Sequence, residues 1–272
     1  AQESLNVLPE RLHRANPNLV VVLLTGFGLT APYRYYRSMG MTLDAASGHS
    51  VLRGYPDLDL SMITPVHHPD GISAATGLLM SVLGLERRTQ TGEGQVFDIA
   101  QLEGTIPHLG EYLLDWQLNE EPAPRLGNEH PWMAPHGVFQ ANADDSWVAI
   151  AIDTNERFAA LATAIELPGL AQHPDYATVS ARYHHRASIN SIVAEWVGKH
   201  DRFEAQQTLQ SHGVPAAAVL RPDIDHVDNE HLLARGVLRD ANFDGMGTFR
   251  YPSGPWHFAD SEPIRFEPAP RL

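Results

Sequence analysis

Apolar positions near the start of the chain come in an unbroken run, Leu-Val-Val-Val-Leu-Leu at residues 19–24, closed by Thr25-Gly26-Phe27-Gly28. A continuous β-branched and leucine run ending in a glycine turn is the pattern of a buried parallel strand. The period then changes. Over residues 69–88, Ile72, Ala75, Leu79, Val82 and Leu83 fall on one face of a helix, with Arg87 and Arg88 in its last turn. The turn Thr-Gly-Glu-Gly-Gln at 91–95 leads into a short strand over 96–99. Helical spacing returns over 100–118, where Leu102, Ile106, Leu109, Leu113 and Trp116 share a face. Pro107 cannot donate to the carbonyl of Glu103, so that helix either kinks or properly begins near Pro107.

The segment 119–135 is rich in proline and polar residues and marks a domain boundary. Beyond it, two alternating runs flank Ala-Asn-Ala-Asp-Asp-Ser within residues 136–152, a hairpin pattern. Helices are expected at 155–165, 186–199 and 202–212, the last stopped by Gly213 as a left-handed cap. A short strand follows at 214–220, and the chain from 221 onward is loop-rich, with small elements and a proline- and glycine-heavy tail. This order predicts an α/β fold: a large parallel-sheet domain (1–127), a smaller α+β domain (128–215), and a segment (216–272) returning to the large domain.

Composition narrows the function classes. At 43% hydrophobic and 19% charged, 272 residues are those of an ordinary folded protein with a real core. No run approaches eighteen apolar residues and no basic stretch precedes an apolar one, so neither a membrane span nor a signal peptide is expected. The complete lack of cysteine excludes disulfides, thiolate metal sites and a cysteine nucleophile, and fits a reducing, cytoplasmic compartment. The net charge of −14 comes without any basic stripe, which argues against nucleic acid as a partner. Fifteen histidines stand mostly as His67-His68, His184-His185 and beside Asn128-Glu129; none has a two-ligand helical spacing, so no metal is expected.

No nucleophile elbow, Walker loop or dinucleotide fingerprint is present. An ordered series of segments instead resembles the class III CoA-transferases, the family of formyl-CoA transferase and carnitine CoA-transferase. Residues 15–33 resemble its stretch from Asn-Pro to a strand ending in Thr-Gly-Phe-Gly, and residues 71–104 its helix, TGxGQ turn, strand and catalytic segment. Residues 127–152 resemble the opening of its small domain, and 212–238 the segment leading back to the large one. The resemblance implies a Rossmann-like sheet, an interlocked dimer, and transfer of coenzyme A from an acyl-CoA to a small carboxylic acid. Members carry roughly a hundred residues before the Asn-Pro segment. A truncated chain, a processed product or half of a split system would account for their absence here, and a second subunit or the missing part is expected to complete the sheet.

In the family an aspartate after the TGxGQ strand attacks the thioester to give a mixed anhydride, covalent catalysis that needs no metal. Laid over GQVFDIAQLEG, that position is Glu103, eight residues after Gln95. Its carboxylate is kept but moved by roughly 1.5 Å, which makes Glu103 a nucleophile in a reshaped pocket or the remnant of one in a partner-type subunit. In the first turn of a helix the dipole favours its negative charge. Asp98, on the preceding strand, is the structural alternative. The racemase branch uses a histidine in a Gly-His-Asp stretch; the matching stretch here is Ser38-Met39-Gly40, and methionine cannot move a proton, so racemase chemistry is not expected. The same three residues, Ser38, Met39 and Gly40, border the CoA pocket in relatives and are the candidate CoA contacts, with core packing as the alternative for Met39.

Overall fold

The computed structural model describes residues 8–64 and 66–260, and its chain divides into two compact units, 1–131 and 132–272. In the first unit a short helix α1 (Pro9–Ala15) leads to strand β1 (Val20–Thr25). Helices α2 (Gly40–Ala46) and α3 (His49–Leu52) follow, then the long helix α4 (His68–Thr91), strand β2 (Gln95–Ala100) and helix α5 (Gln101–Thr105). A 3-10 turn over Ile106–Leu109 then precedes α6 (Gly110–Asn119). The break falls at Pro107, where the missing N–H interrupts the α-helical ladder.

β1 and β2 pair in parallel, from Val20 opposite Gln95 to Thr25 opposite Ala100. The TGxGQ turn feeds this pairing through two glycines with different tasks. Gly92 ends α4 in the left-handed conformation (φ 77°), its N–H donating to the Arg88 carbonyl. Gly94 passes so close to the chain at Leu19 that a Cβ there would overlap its backbone, and its N–H donates to the Pro17 carbonyl at 2.9 Å.

The face that α4 turns to the sheet differs from the expected one. Its buried residues are Pro69, Ser73, Gly77 and Gly84, whereas Leu79, Val82 and Leu83 are exposed. Gly77 lies under the Leu24 side chain, and Gly84 under Val20 and Phe97, so small residues let helix and strands approach while the leucine stripe points away. The expected apolar face of the following helix is likewise exposed at Ile106, Leu113 and Trp116, with Leu109 buried.

The second unit has antiparallel β3 (His136–Gln140) and β4 (Trp147–Ala151), the expected hairpin, with β5 (Ala216–Ala218) on the other edge of β4. Helices α7 (Asn155–Ala164), α8 (Val179–His184), α9 (Arg186–Val197) and α10 (Arg202–Ser211) pack around it. Val148, Ile150, Phe158, Leu161, Ile189, Val193, Val197 and Leu209 form one core. Arg182, on α8, is fully buried in the same unit. It donates to the carbonyls of Ala134 (2.9 Å), Tyr176 (2.9 Å) and Thr154 (3.2 Å) and to Asn155 Oδ1 (3.0 Å), and its guanidinium lies 4.5 Å over the Phe158 ring. Burial lowers its pKa from the usual value, opposed by the Glu156 carboxylate.

After α11 (Glu230–Ala234), a hairpin of β6 (Leu238–Phe243) and β7 (Gly247–Pro252) occupies part of the segment read as loop. Asp244-Gly245 at its tip is the turn pair that marks it. The end of the expected returning tail lies outside the described residues.

Candidate active site

Both parallel strands end at one edge, where open α/β sheets place their ligands. The Leu102 N–H donates to the Gly26 carbonyl at 3.1 Å, tying the start of α5 to the glycine turn after β1. Asp98 fixes the same turn from below, accepting the Leu29 N–H at 3.0 Å. That bond gives Asp98 a structural task.

Ser38, Met39 and Gly40 lie across this turn. A Cβ on Gly26 would overlap the Ser38 hydroxyl, so the two segments touch through the absent side chain. Met39 precedes α2; its N–H donates to Thr42 Oγ1 at 2.8 Å and the residue is 71% exposed. Gly40 is buried, and a Cβ there would overlap the Asp70 carboxylate and stand 2.6 Å from His67 Nδ1.

Asp70, in the first turn of α4, therefore meets the candidate CoA stretch. Its Oδ1 accepts from Gln101 Nε2 at 3.2 Å, and its Oδ2 lies 3.7 Å from His67 Nδ1, beyond hydrogen-bond distance. The Gln101 amide also donates to the buried Ser73 hydroxyl at 2.9 Å. Asp70 and Gln101 were not singled out from the sequence. A first-turn aspartate after proline reads as a partner of the helix dipole, and only its contact with Gly40 sets it apart.

Glu103 does fall in the first turn of its helix, α5. Gln101 and Gly104 on that helix meet α4, through Ser73 and Asp70 and against Ile72 respectively, and Thr105 is buried. At about 100° per residue, Glu103 sits roughly 200° around the helix from Gln101. It is exposed.

A second polar cluster surrounds Asp44, one turn along α2 from Gly40. This carboxylate is 1% exposed; its Oδ1 meets His49 Nδ1 (2.6 Å), and its Oδ2 accepts from the Ser50 hydroxyl (2.8 Å) and pairs with Arg53. Burial raises its pKa, but the bonds from His49 and Ser50 and the charge of Arg53 outweigh that and hold it below the ordinary carboxylate value. Asp44, Ser50 and Arg53 line a cleft of about 480 Å³ with Met41, Leu60 and Ile63. The His49 ring also stands edge-on to His68, 4.8 Å away. Among the described residues, no three His, Asp or Glu side chains converge as a metal site, and no helix is long and apolar enough to cross a membrane.

An exposed carboxylate in the first turn of a helix at the ends of two parallel strands, as Glu103 is, can act as a nucleophile. The known proteins similar to this chain work with thioesters and carboxylic acids. Succinyl-CoA–D-citramalate CoA-transferase of Chloroflexus aurantiacus is 31% identical over 89% of the chain and 59% of its own length. The alpha and beta subunits of succinyl-CoA–L-malate CoA-transferase from the same organism are 31% and 30% identical over 89% and 87% of the chain, and 53% and 58% of their own lengths. The chain thus spans a little over half the length of these relatives. A CAIB/BAIF family protein from Brucella suis has the same fold, with a TM-score of 0.79 and 25% identity over 95% of this chain and 66% of that one. CoA-transferase family III matches residues 1–272 from end to end, and the chain belongs to that family.

Proposed function

We propose that the protein containing this chain moves coenzyme A from an acyl-CoA, succinyl-CoA first among candidates, to a small dicarboxylic acid. Succinate, citramalate and malate, the acids in the relatives' names, each carry two carboxyl groups. The observation that carries the reading is Glu103, an exposed carboxylate in the first turn of α5, whose start is tied to the glycine turn at the strand ends by the Leu102 N–H. In this account a Glu103 oxygen attacks the thioester carbonyl carbon. The carbon–sulfur bond breaks, leaving an anhydride on Glu103 and CoA thiolate. The thiolate attacks the Glu103 carbonyl, expelling the donor acid and forming an enzyme thioester. The acceptor carboxylate displaces the thiolate to give a second anhydride. The thiolate then takes the acceptor acyl group and Glu103 is restored. Ser38, Met39 and Gly40 would border the thioester end of CoA. Met39 supplies no proton carrier at the position the racemases use, which argues against that chemistry.

Asp70 is the second candidate, since its carboxylate adjoins Gly40; its Oδ2 is packed against Gly40 and lies near His67, which speaks for Glu103. Activities of full-length Asp70→Asn and Glu103→Gln variants with succinyl-CoA and malate separate the two. Loss in Glu103→Gln with transfer retained in Asp70→Asn supports this assignment, and the opposite pattern moves the nucleophile to Asp70.

A partner is part of the proposal. Leu78, Leu79, Val82 and Leu83 on α4 and Leu114 and Leu118 on α6 are exposed, the kind of apolar surface that packs against further chain. The subunit names among the relatives favour a heteromeric arrangement as one form of it, with the interlocked homodimer as the other. A Rossmann-like sheet extended beyond β1 and β2, and a cytoplasmic location, belong to the same reading.

A further inference from the structure

We propose that Arg37 binds the second carboxylate of a dicarboxylic acid while the first reacts at Glu103; this rests on the reading of Glu103 as nucleophile. The acids in the relatives' names differ from simple carboxylic acids by that second negative charge. In a chain of net charge −14, recognising it takes a cation not already engaged by the protein.

The cation follows by elimination. The first unit contains no lysine. Its arginines on α1 and near the end of α4 lie ahead of the strand starts, at the opposite end of the strands from Glu103. Arg53 is paired with Asp44, and Arg125 donates to the Leu58 carbonyl. Arg34 folds back on its own segment, its Nη1 3.3 Å from the Ala31 carbonyl and its guanidinium 4.5 Å over the Tyr35 ring. Arg37 is exposed and, among the described residues, makes no hydrogen bond or ion pair.

Its neighbours in sequence fix where it stands. Tyr36 and Tyr33 stack 4.7 Å apart, and both meet Phe27 edge-on, at 5.8 and 5.9 Å respectively. Ser38 fills the place of a side chain on Gly26. Arg37 is thus bracketed by contacts to the two central residues of the glycine turn after β1. The Gly26 carbonyl of that turn accepts the Leu102 N–H, one residue before Glu103, so nucleophile and cation share one anchor. A planar guanidinium offers a carboxylate two parallel N–H bonds, which a methyl group in its place cannot accept. A short acid with a carboxylate at each end meets Glu103 with one and Arg37 with the other. On succinyl-CoA the thioester takes the first place and the free carboxylate the second.

The test follows the first half of the reaction alone. Full-length wild type, Arg37→Met, Arg37→Lys and Glu103→Gln are mixed with succinyl-CoA or butyryl-CoA, with no acceptor acid present. Butyryl-CoA has the same chain length and a methyl group where succinyl-CoA has its carboxylate. Intact mass follows the gain of CoA as the enzyme thioester, and the second-order rate constant does not depend on how much of each variant is folded. Expected for succinyl-CoA is a fall of about tenfold or more in Arg37→Met, as for loss of a hydrogen bond to a charged group, and a smaller fall in Arg37→Lys. The rate constant for butyryl-CoA should stay at its wild-type value. An undiminished preference for succinyl-CoA in Arg37→Met overturns the proposal. An equal fall for both donors overturns it too, because Arg37 would then read the phosphates of CoA, which both carry. Thioester formation in Glu103→Gln matching wild type, or none in wild type, removes the nucleophile reading and this inference with it.

Discussion

Asp44 shows how one side chain can set the acid limit of its unit. Its carboxylate is buried with Arg53, His49 and Ser50 around it, and its pKa lies below the unfolded value despite the cost of burial. A depressed carboxylate pKa contributes stability that is fully present above the unfolded value of about 3.9 and is lost as pH falls through the folded one. Asp44→Asn keeps the shape but leaves Arg53 beside an uncharged amide. At pH 7 it should cost about 3–5 kcal/mol, the range for breaking a buried pair from one side. That loss should shrink as pH falls below about 3.9, where the unfolded wild-type chain binds a proton that the folded carboxylate still refuses. Urea unfolding of both proteins at pH 7 and pH 3.5 checks this; equal losses at the two values would assign the effect to packing.

At the scale of elements, the glycines of α4 decide how closely the helix meets the sheet. A Cβ on Gly84 would stand 2.7 Å from Val20 Cγ1 and 2.8 Å from Phe97 Cε2, whereas one on Gly71 would meet nothing within 4 Å. Both changes to alanine gain about 1 kcal/mol of helix propensity, but overpacking at Gly84 costs about 1–3 kcal/mol. Gly71→Ala should therefore stabilise and Gly84→Ala destabilise by about 1 kcal/mol, read as opposite shifts of the urea midpoint. Shifts of the same sign would mean that the small-residue face does not touch β1 and β2.

The same helix marks what was legible in the sequence. Its extent and its glycine stop followed from spacing, as did β1, the β3–β4 hairpin and the break at Pro107. Its buried face did not, because periodicity locates apolar stripes and does not say which stripe this chain covers. The leucines drew attention while Ser73, Gly77 and Gly84 made the contact. Arg182 was illegible for a related reason: an arginine on a short helix reads as surface, and only the carbonyls of Ala134, Thr154 and Tyr176 turning toward it make an interior site. The β6–β7 hairpin was missed although Asp244-Gly245 announces its turn, since its strands lack a long alternating apolar pattern.

Across the whole chain, the two units are built differently. The second closes a core of its own around β3, β4 and four helices. The first has two parallel strands, with Leu24 and Val96 exposed on them and the α4 leucines uncovered. The chemistry proposed here sits in that first unit, at the strand ends, and its elements were only partly readable. The glycine turns and Ser38-Met39-Gly40 were found by their resemblance to the family. The contacts of Asp70 required three dimensions, because 30 residues separate it from Gly40 and 31 from Gln101, and no local pattern joins them. The central claim is that Glu103 carries the acyl group. Borohydride added to the full-length protein during turnover of succinyl-CoA reduces the enzyme thioester to an alcohol, and peptide mass mapping locates it. The account predicts that the modified peptide contains Glu103 and that Asp70 is untouched; modification at Asp70 with Glu103 intact would contradict it.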